Sequence, residues 1–148
     1  MRTTPTTLDW TSSADHVDWE ELSRLYVAAP LGFKAPEHLA LVFSHSMFVC
    51  FVYDQRVLVG AGRALADGRD CSYICDVAVL PSHQGRGVGR DIVARLLERS
   101  KGHRKVILYS VPGKEPFYEK LGFKRMTTAM AIFEDQAKAL ADGLVRDD

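Results

Sequence analysis

Apolar and polar positions along this chain follow two periods, and the switches between them mark its elements. Residues 1–7 read as a loose tail, and residues 8–11 as a short first strand. Val17, Leu22, Leu25 and Tyr26 then recur at helical spacing, with Asp15 or Asp18 placed to cap a helix running to about residue 28. Ala-Pro-Leu-Gly at 29–32 breaks it, and Pro36 suits the first position of a second helix over 36–44, carrying Leu39, Leu41 and Val42. A Val- and Phe-rich strand over 47–53 turns at Asp54-Gln55-Arg56 into another over 57–66, an antiparallel hairpin. Gly60 and Gly62 weaken that second strand and point to a bulge or a close backbone approach. After a turn at 66–69 comes a strand over 71–80, with Ile74, Val77 and Val79, stopped by Pro81 and Ser82. Val88, Ile92 and Leu96, with Val93 and Leu97 beside them, form the apolar stripe of a helix ending near residue 101. The run KVILYS at 105–110 is a fifth strand. Strand, helix and strand make a βαβ crossover, so 71–80 and 105–110 are predicted to be parallel and right-handedly connected.

Beyond residue 110 the signals are shorter. Residues 114–121 read as a small helix closed by Gly122, residues 123–133 as a long strand or hairpin half, and residues 134–144 as a terminal helix. The fold class is therefore α/β with a mixed sheet.

Composition narrows the picture without redirecting it. The 148 residues suit one domain over 1–148, with 47% apolar and 26% charged residues, as expected of a soluble globular protein. Nineteen Lys and Arg balance nineteen Asp and Glu, so net charge points to neither nucleic acid nor an anionic membrane as partner. There is no eighteen-residue apolar run and no signal-peptide pattern at the start, and the expected location is cytoplasmic. Three cysteines, an odd number, argue against a disulfide framework. Cys71 and Cys75, with His45 and His83 elsewhere, lack metal-ligand spacing, so no metal is expected.

Candidate chemistry concentrates between the strand 71–80 and the helix after it. Gln84-Gly85-Arg86-Gly87-Val88-Gly89 is a glycine-rich turn in which positions without a β-carbon bring backbone N–H groups close to a ligand. Strand, glycine loop and helix N-terminus make an anion site, through unpaired first-turn donors and the positive end of the dipole. The expected ligand is a phosphate or pyrophosphate. A P-loop is excluded because no Lys-Ser/Thr pair follows these glycines. A dinucleotide fingerprint fails because Arg90 stands near the place of its third glycine, and no acidic residue closes the next strand.

What remains is Gln84, Gly87 and Gly89 behind Asp76-Val77-Ala78-Val79, with Phe117-Tyr118-Glu119-Lys120-Leu121-Gly122-Phe123 following. This combination resembles the coenzyme A loop and acid segment of the GNAT superfamily of acyl-CoA N-acyltransferases, firmly over residues 71–125. The resemblance implies a central mixed sheet flanked by helices, with two parallel strands splayed at their C-terminal ends and the ligand in the V between them. It implies acetyl-CoA as co-substrate. The pantetheine arm would pair with the backbone of Val77, Ala78 and Val79, and the pyrophosphate would sit on the N–H groups of Gln84, Gly85, Arg86, Gly87, Val88, Gly89 and Arg90. The Arg86 or Arg90 guanidinium would lie near it. Ser110 and Phe117 complete the cofactor side.

Tyr118 matches the family's acid position. A thiolate leaving group has a conjugate thiol pKa near 8.5, and a phenol with pKa near 10 is a ready donor at neutral pH. The Val79 N–H would receive the oxyanion. Some family members place a carboxylate base where this chain has Tyr73 or Cys75. Proton removal from the amine is therefore left to a water chain, Asp76, Glu115 or Glu119, with Asp76 first. Strict alternation turns Asp76 to the opposite face, and a bulge would reverse that. The acceptor is expected against Leu31, Phe33, Tyr73 and Cys75.

The expected function is acetyl-CoA-dependent N-acetylation of a primary amine on a small molecule. A protein or peptide acetyltransferase and a non-catalytic acyl-CoA-binding module stand as alternatives. The carboxylates of Asp76, Glu115 and Glu119, with Leu31 and Phe33 as an apolar wall, suggest a cationic amine with a hydrophobic portion rather than an acidic amino acid. A homodimer is left open.

Overall fold

A computed structural model describes residues 7–148 of the chain, so the expected tail falls almost wholly outside it. The chain divides into two compact units, residues 1–108 and 109–148.

The first unit is built on a five-stranded sheet in the order β1-β2-β3-β4-β5. β1 is Asp9–Thr11, β2 Phe48–Asp54, β3 Val57–Ala66, β4 Cys71–Val79 and β5 Lys105–Ile107. The first four pair antiparallel in sequence, and β4 with β5 is parallel. Between β2 and β3 the turn has two residues, Gln55 and Arg56, at φ +49° and +68°. Two successive positive φ values give the turn the twist that matches the flanking strands.

Helix α1, Trp19–Ala28, starts at Asp18 rather than Asp15, because the Asp18 carboxylate accepts the N–H groups of Glu20 and Glu21 at 3.0 and 3.2 Å. Its buried face carries Leu22, Leu25 and Tyr26. With Leu39 and Phe43 of α2, Pro36–Ser44, these residues pack on Phe51, Leu58, Ala61 and Ala78 of the sheet. Helix α3, Val88–Arg99, covers the opposite face.

The glycines of β3 explain how closely α3 approaches. A β-carbon at Gly60 would lie 2.8 Å from Val52 Cγ1 and 2.9 Å from Ile92 Cδ1, and one at Gly62 2.8 Å from Ile92 Cγ2. Both expected features of this strand are present, since the β3–β4 register also shifts between Ala61 and Arg63.

Elsewhere the sequence pattern overstated order. The run 105–110 is strand only to Ile107, because β4 stops pairing with it there. In the second unit the helix expected over 114–121 is α4, Glu115–Glu119, and the terminal helix is α5, Gln136–Ala141. Residues 123–133 form no strand, since none of the described strands pairs with them. Gly122 does close its helix in the left-handed region, at φ +101°. Among the described residues, no helix is long and apolar enough to cross a membrane.

Candidate active site

The parallel pair β4–β5 joins only over Cys71↔Lys105, Ser72↔Val106 and Tyr73↔Ile107. Among the described residues, β4 then runs on to Val79 with no strand paired to it on that side. This is the splay that a ligand-holding V requires. The direction of the free groups follows from the ladder on the other side. Leu80 N–H donates to Val59 O at 2.8 Å, so Leu80 and Ala78 turn their backbone groups toward β3. By antiparallel alternation, Val77 and Val79 turn theirs to the open edge.

The glycine loop follows directly. Pro81–His83 form a 3-10 turn, and Gly85 and Gly87 sit at φ +78° and +83°. Gly87 is the N-cap of α3 and supplies no side chain to its first turn. The N–H groups of Val88, Gly89 and Arg90 are therefore available to an anion, at the positive end of a helix twelve residues long. The Gln84 side chain has a different task from its neighbours. Its Nε2 donates to Val79 O at 2.9 Å and to Ala29 O at 3.1 Å, stapling the loop to the end of β4 and to the end of α1. Its own N–H is bonded to Pro81 O, so the free donors begin after Gln84. Arg86 is exposed, and the Arg90 guanidinium lies over Gly87, with Nη2 2.6 Å from where a β-carbon there would be.

Asp76 is the residue the sequence could least place. It has φ +56°, and the pairing skips from Ala61↔Ala78 to Arg63↔Cys75, so Asp76 and Val77 together oppose Gly62. This β-bulge re-aims the strand. Before it, Ser72 bonds Ser100 at the end of α3, and after it Val77, with Ile92 and Leu96 of that helix, borders the place a Gly62 β-carbon would take. Asp76 is thereby turned to the α1 face, where Ala78 also packs.

There the Asp76 carboxylate is fully engaged. Lys34 Nζ donates to Oδ1 at 2.6 Å and Arg63 Nε to Oδ2 at 2.7 Å. The Tyr26 hydroxyl donates to the Asp76 carbonyl at 2.6 Å, and Arg63 also reaches Ser46 Oγ at 3.2 Å. Lys34 lies over the Tyr26 ring and Arg63 over that of Phe43. Burial by itself would raise the Asp76 carboxyl, but hydrogen bonds and charge from Lys34 and Arg63 outweigh it and hold the carboxyl below its usual value. Burial, with the Asp76 charge added, pushes the Cys75 thiol up to about 11. Burial, again with Asp76, raises the Tyr26 phenol well above 10. None of the three is a ready base at neutral pH.

Lys34 and Arg63 were not among the expected site residues. Arg63 announced itself as the one charged residue inside the apolar run VLVGAGRALA, at a strand position that turns inward. The Lys34 loop is fixed as well, by Ser23 Oγ to Lys34 O at 2.7 Å and Leu31 N to Tyr26 O at 2.7 Å. Leu31 packs against the core cluster, whereas Phe33 is 74% exposed.

An acid-titration result follows from the lowered carboxyl. A depressed folded value stabilises the fold above the unfolded pKa of about 3.9, and that contribution disappears as pH falls through the lower folded value. Asp76→Asn leaves two cations facing no charge and is expected to cost about 2–4 kcal/mol at pH 7, in the lower part of the range for buried pairs because these side chains retain some exposure. Urea unfolding from pH 7 to pH 3 checks this: the variant's acid limb should be shallower than the parent's.

The second unit holds the remaining expected residues. Tyr118 lies on α4 with Phe117 and Phe123 at ring-centroid distances of 4.9 and 6.0 Å, both edge-on. Burial raises its phenol above 10, which keeps it protonated at neutral pH. Glu115 accepts the Gly113 N–H and the Ser110 hydroxyl, and Glu119 pairs with Arg125. Tyr73, in the first unit, belongs to the last paired register of β4 and β5. No group of three His, Cys, Asp or Glu among the described residues is placed to hold a metal, and the three cysteines are free.

The acetyltransferase (GNAT) family model matches residues 8–123. The chain belongs to that family. A curated glucosamine 6-phosphate N-acetyltransferase from Trypanosoma brucei brucei is 51% identical over 67 residues, covering 44% of this chain and 46% of that protein. The chain thus spans about half the length of that relative. A GNAT family acetyltransferase from Streptococcus pneumoniae superposes with a TM-score of 0.71 at 26% identity, covering 88% of this chain and 100% of the other. AAC(6')-Iy, in complex with the bisubstrate analogue CoA-S-monomethyl-acetylneamine, shares the fold at a TM-score of 0.65 and 21% identity, covering 88% and 98%. The family is one of acetyltransferases, and it uses acetyl-CoA.

Proposed function

We propose that this GNAT enzyme transfers acetyl from acetyl-CoA to the primary amine of a small molecule that also carries an anionic group. The observation that carries the transfer is the free β4 edge at Val77 and Val79, tied by Gln84 to a helix N-terminus whose donors are open. A pantetheine amide fits that edge as an added strand, and a pyrophosphate fits the Val88–Arg90 donors with Arg90 beside them. AAC(6')-Iy, which shares the fold, was solved with a bisubstrate analogue that carries CoA.

In the reaction, the amine nitrogen attacks the thioester carbonyl carbon, and the oxyanion that forms accepts the Val79 N–H. The C–S bond then breaks, and Tyr118 donates its own proton to the departing thiolate and regains one from water. The amine proton passes to water, because Asp76 is committed to two cations and Cys75 holds its own proton.

The charge of the Asp76 cluster supports an anionic group on the acceptor. Two cations and one carboxylate leave this cluster one net positive charge, beside the wall assigned to the acceptor. Glu115 and Glu119, the other carboxylates from which a cationic acceptor was expected, are also engaged. A phosphate or carboxylate on the acceptor therefore gains more there than a second amine. The trypanosomal relative is named for glucosamine 6-phosphate, an amine of this kind. Steady-state kinetics on matched acceptors test the reading. Glucosamine 6-phosphate should exceed glucosamine in kcat/KM by about tenfold or more, an advantage that shrinks as salt screens it. A preference for spermidine or tryptamine would overturn the anionic assignment.

A further inference from the structure

His83 and Asp54 share a bond that the transfer chemistry leaves unused. Asp54 ends β2 beside the two-residue turn Gln55–Arg56, and its Oδ2 accepts from His83 Nε2 at 2.7 Å. A carboxylate can only accept, so Nε2 carries the proton, and Nδ1 meets the Ser82 hydroxyl at 2.7 Å. Asp54 Oδ1 is buried with no hydrogen-bond partner among the described residues, so His83 is what compensates this carboxylate. The imidazole is itself held in place. Pro81 opens the 3-10 turn, and the His83 N–H donates to Leu80 O at 2.9 Å.

The position of this bond in the chain gives it a use. His83 stands immediately before Gln84, whose side chain clasps the ends of β4 and α1. Consecutive residues thus tie the loop to three separate elements, β2 through His83, and β4 and α1 through Gln84. A single clasp would leave a segment with glycines at 85 and 87 free to pivot about it. A second clasp on the adjoining residue, directed to a different strand, fixes the direction in which the loop leaves. The N–H donors at the start of α3 then begin from a set orientation, and less freedom is lost when an anion binds.

We propose that His83, held by Asp54, is a positioning residue for the diphosphate of the acyl donor. The proposal rests on the pyrophosphate reading of this loop given above and adds the residues that aim it. Neither side chain touches the anion, and the pair acts through the backbone that follows it.

Calorimetric titration of the full chain with coenzyme A and with pantetheine, which lacks the diphosphate, tests this, with circular dichroism to check folding. His83→Ala should weaken coenzyme A binding about tenfold, the scale of one hydrogen bond to a charged group, and leave pantetheine binding within about twofold. With acetyl-CoA and glucosamine 6-phosphate, the loss should appear in the donor's KM while kcat stays within about twofold. His83→Gln, whose amide N–H reaches about as far as Nε2, should recover most of the affinity. Asp54→Ala should match His83→Ala, and the double variant should be no worse than either, since both remove the same bond. Unchanged coenzyme A affinity in a folded His83→Ala overturns the proposal. So do equal losses for both ligands, a loss seen in kcat rather than KM, a His83→Gln variant no better than His83→Ala, or single losses that add in the double variant. A parent that binds pantetheine as tightly as coenzyme A overturns the pyrophosphate reading itself. A preference for coenzyme A that every variant keeps removes the clasp alone.

Discussion

Tyr118→Phe is expected to lower kcat by about 10²–10⁴-fold, the usual contribution of a positioned proton donor. Acetyl-CoA affinity should stay within about twofold, because the change removes one hydroxyl and keeps the ring that Phe117 and Phe123 meet edge-on. The raised phenol adds a second reading. A group titrating above 10 remains a donor across the neutral range, so the parent's kcat should not decline on the alkaline side until beyond that value. Replacing acetyl-CoA with a donor whose thiol is more acidic should narrow the gap between parent and variant, since a better leaving group needs less help. A variant that turns over at the parent rate would reduce Tyr118 to packing.

Gly87→Val is expected to weaken coenzyme A binding by about 10²-fold or more while leaving a folded protein, the equivalent of losing several charge-assisted hydrogen bonds. The side chain itself meets only the movable end of Arg90, so crowding is not the main obstacle. The obstacle is φ +83°, where a β-branched residue is strained by about 1–2 kcal/mol. Relief comes from rotating the adjoining peptide, which turns the first N–H donors of α3 away from the anion. Calorimetric titration with coenzyme A decides the point, and unchanged affinity in a folded variant would remove the pyrophosphate from this loop. Gly87→Ala should fall between the two, its smaller side chain being less strained in the same conformation.

Much of this was legible from residue types, and the rest was not for identifiable reasons. β3 matched its expected span because Asp54-Gln55-Arg56 and Ala66-Asp67-Gly68 punctuate both ends. The start of α3 was legible because Gly87 has no side chain and Val88 opens the apolar stripe. The run KVILYS looks like a full strand, yet strand length is set by the partner, and β4 leaves it after Tyr73. Residues 123–133 find no partner strand among the described residues, so residue types alone could not make a strand. That the bulge would fall on Asp76 was hidden for another reason. A positive φ normally announces itself through glycine or asparagine, and here it falls on Asp76, held by a tyrosine and two cations remote in sequence. Reading Asp76 as a free carboxylate followed from counting charges along the chain, where Arg63 and Lys34 lie 13 and 42 positions away.

Gly60 and Gly62 let α3 settle directly on β3, with Ile92 touching the backbone where side chains would otherwise stand. The helix whose first turn is proposed to receive the phosphates is thereby seated directly on the sheet. An anion arriving there finds its donors already immobilised, and little configurational freedom remains to be lost on association. Tight donor binding is then compatible with an acceptor wall that differs from one enzyme to another, because the two draw on separate layers of the same sheet.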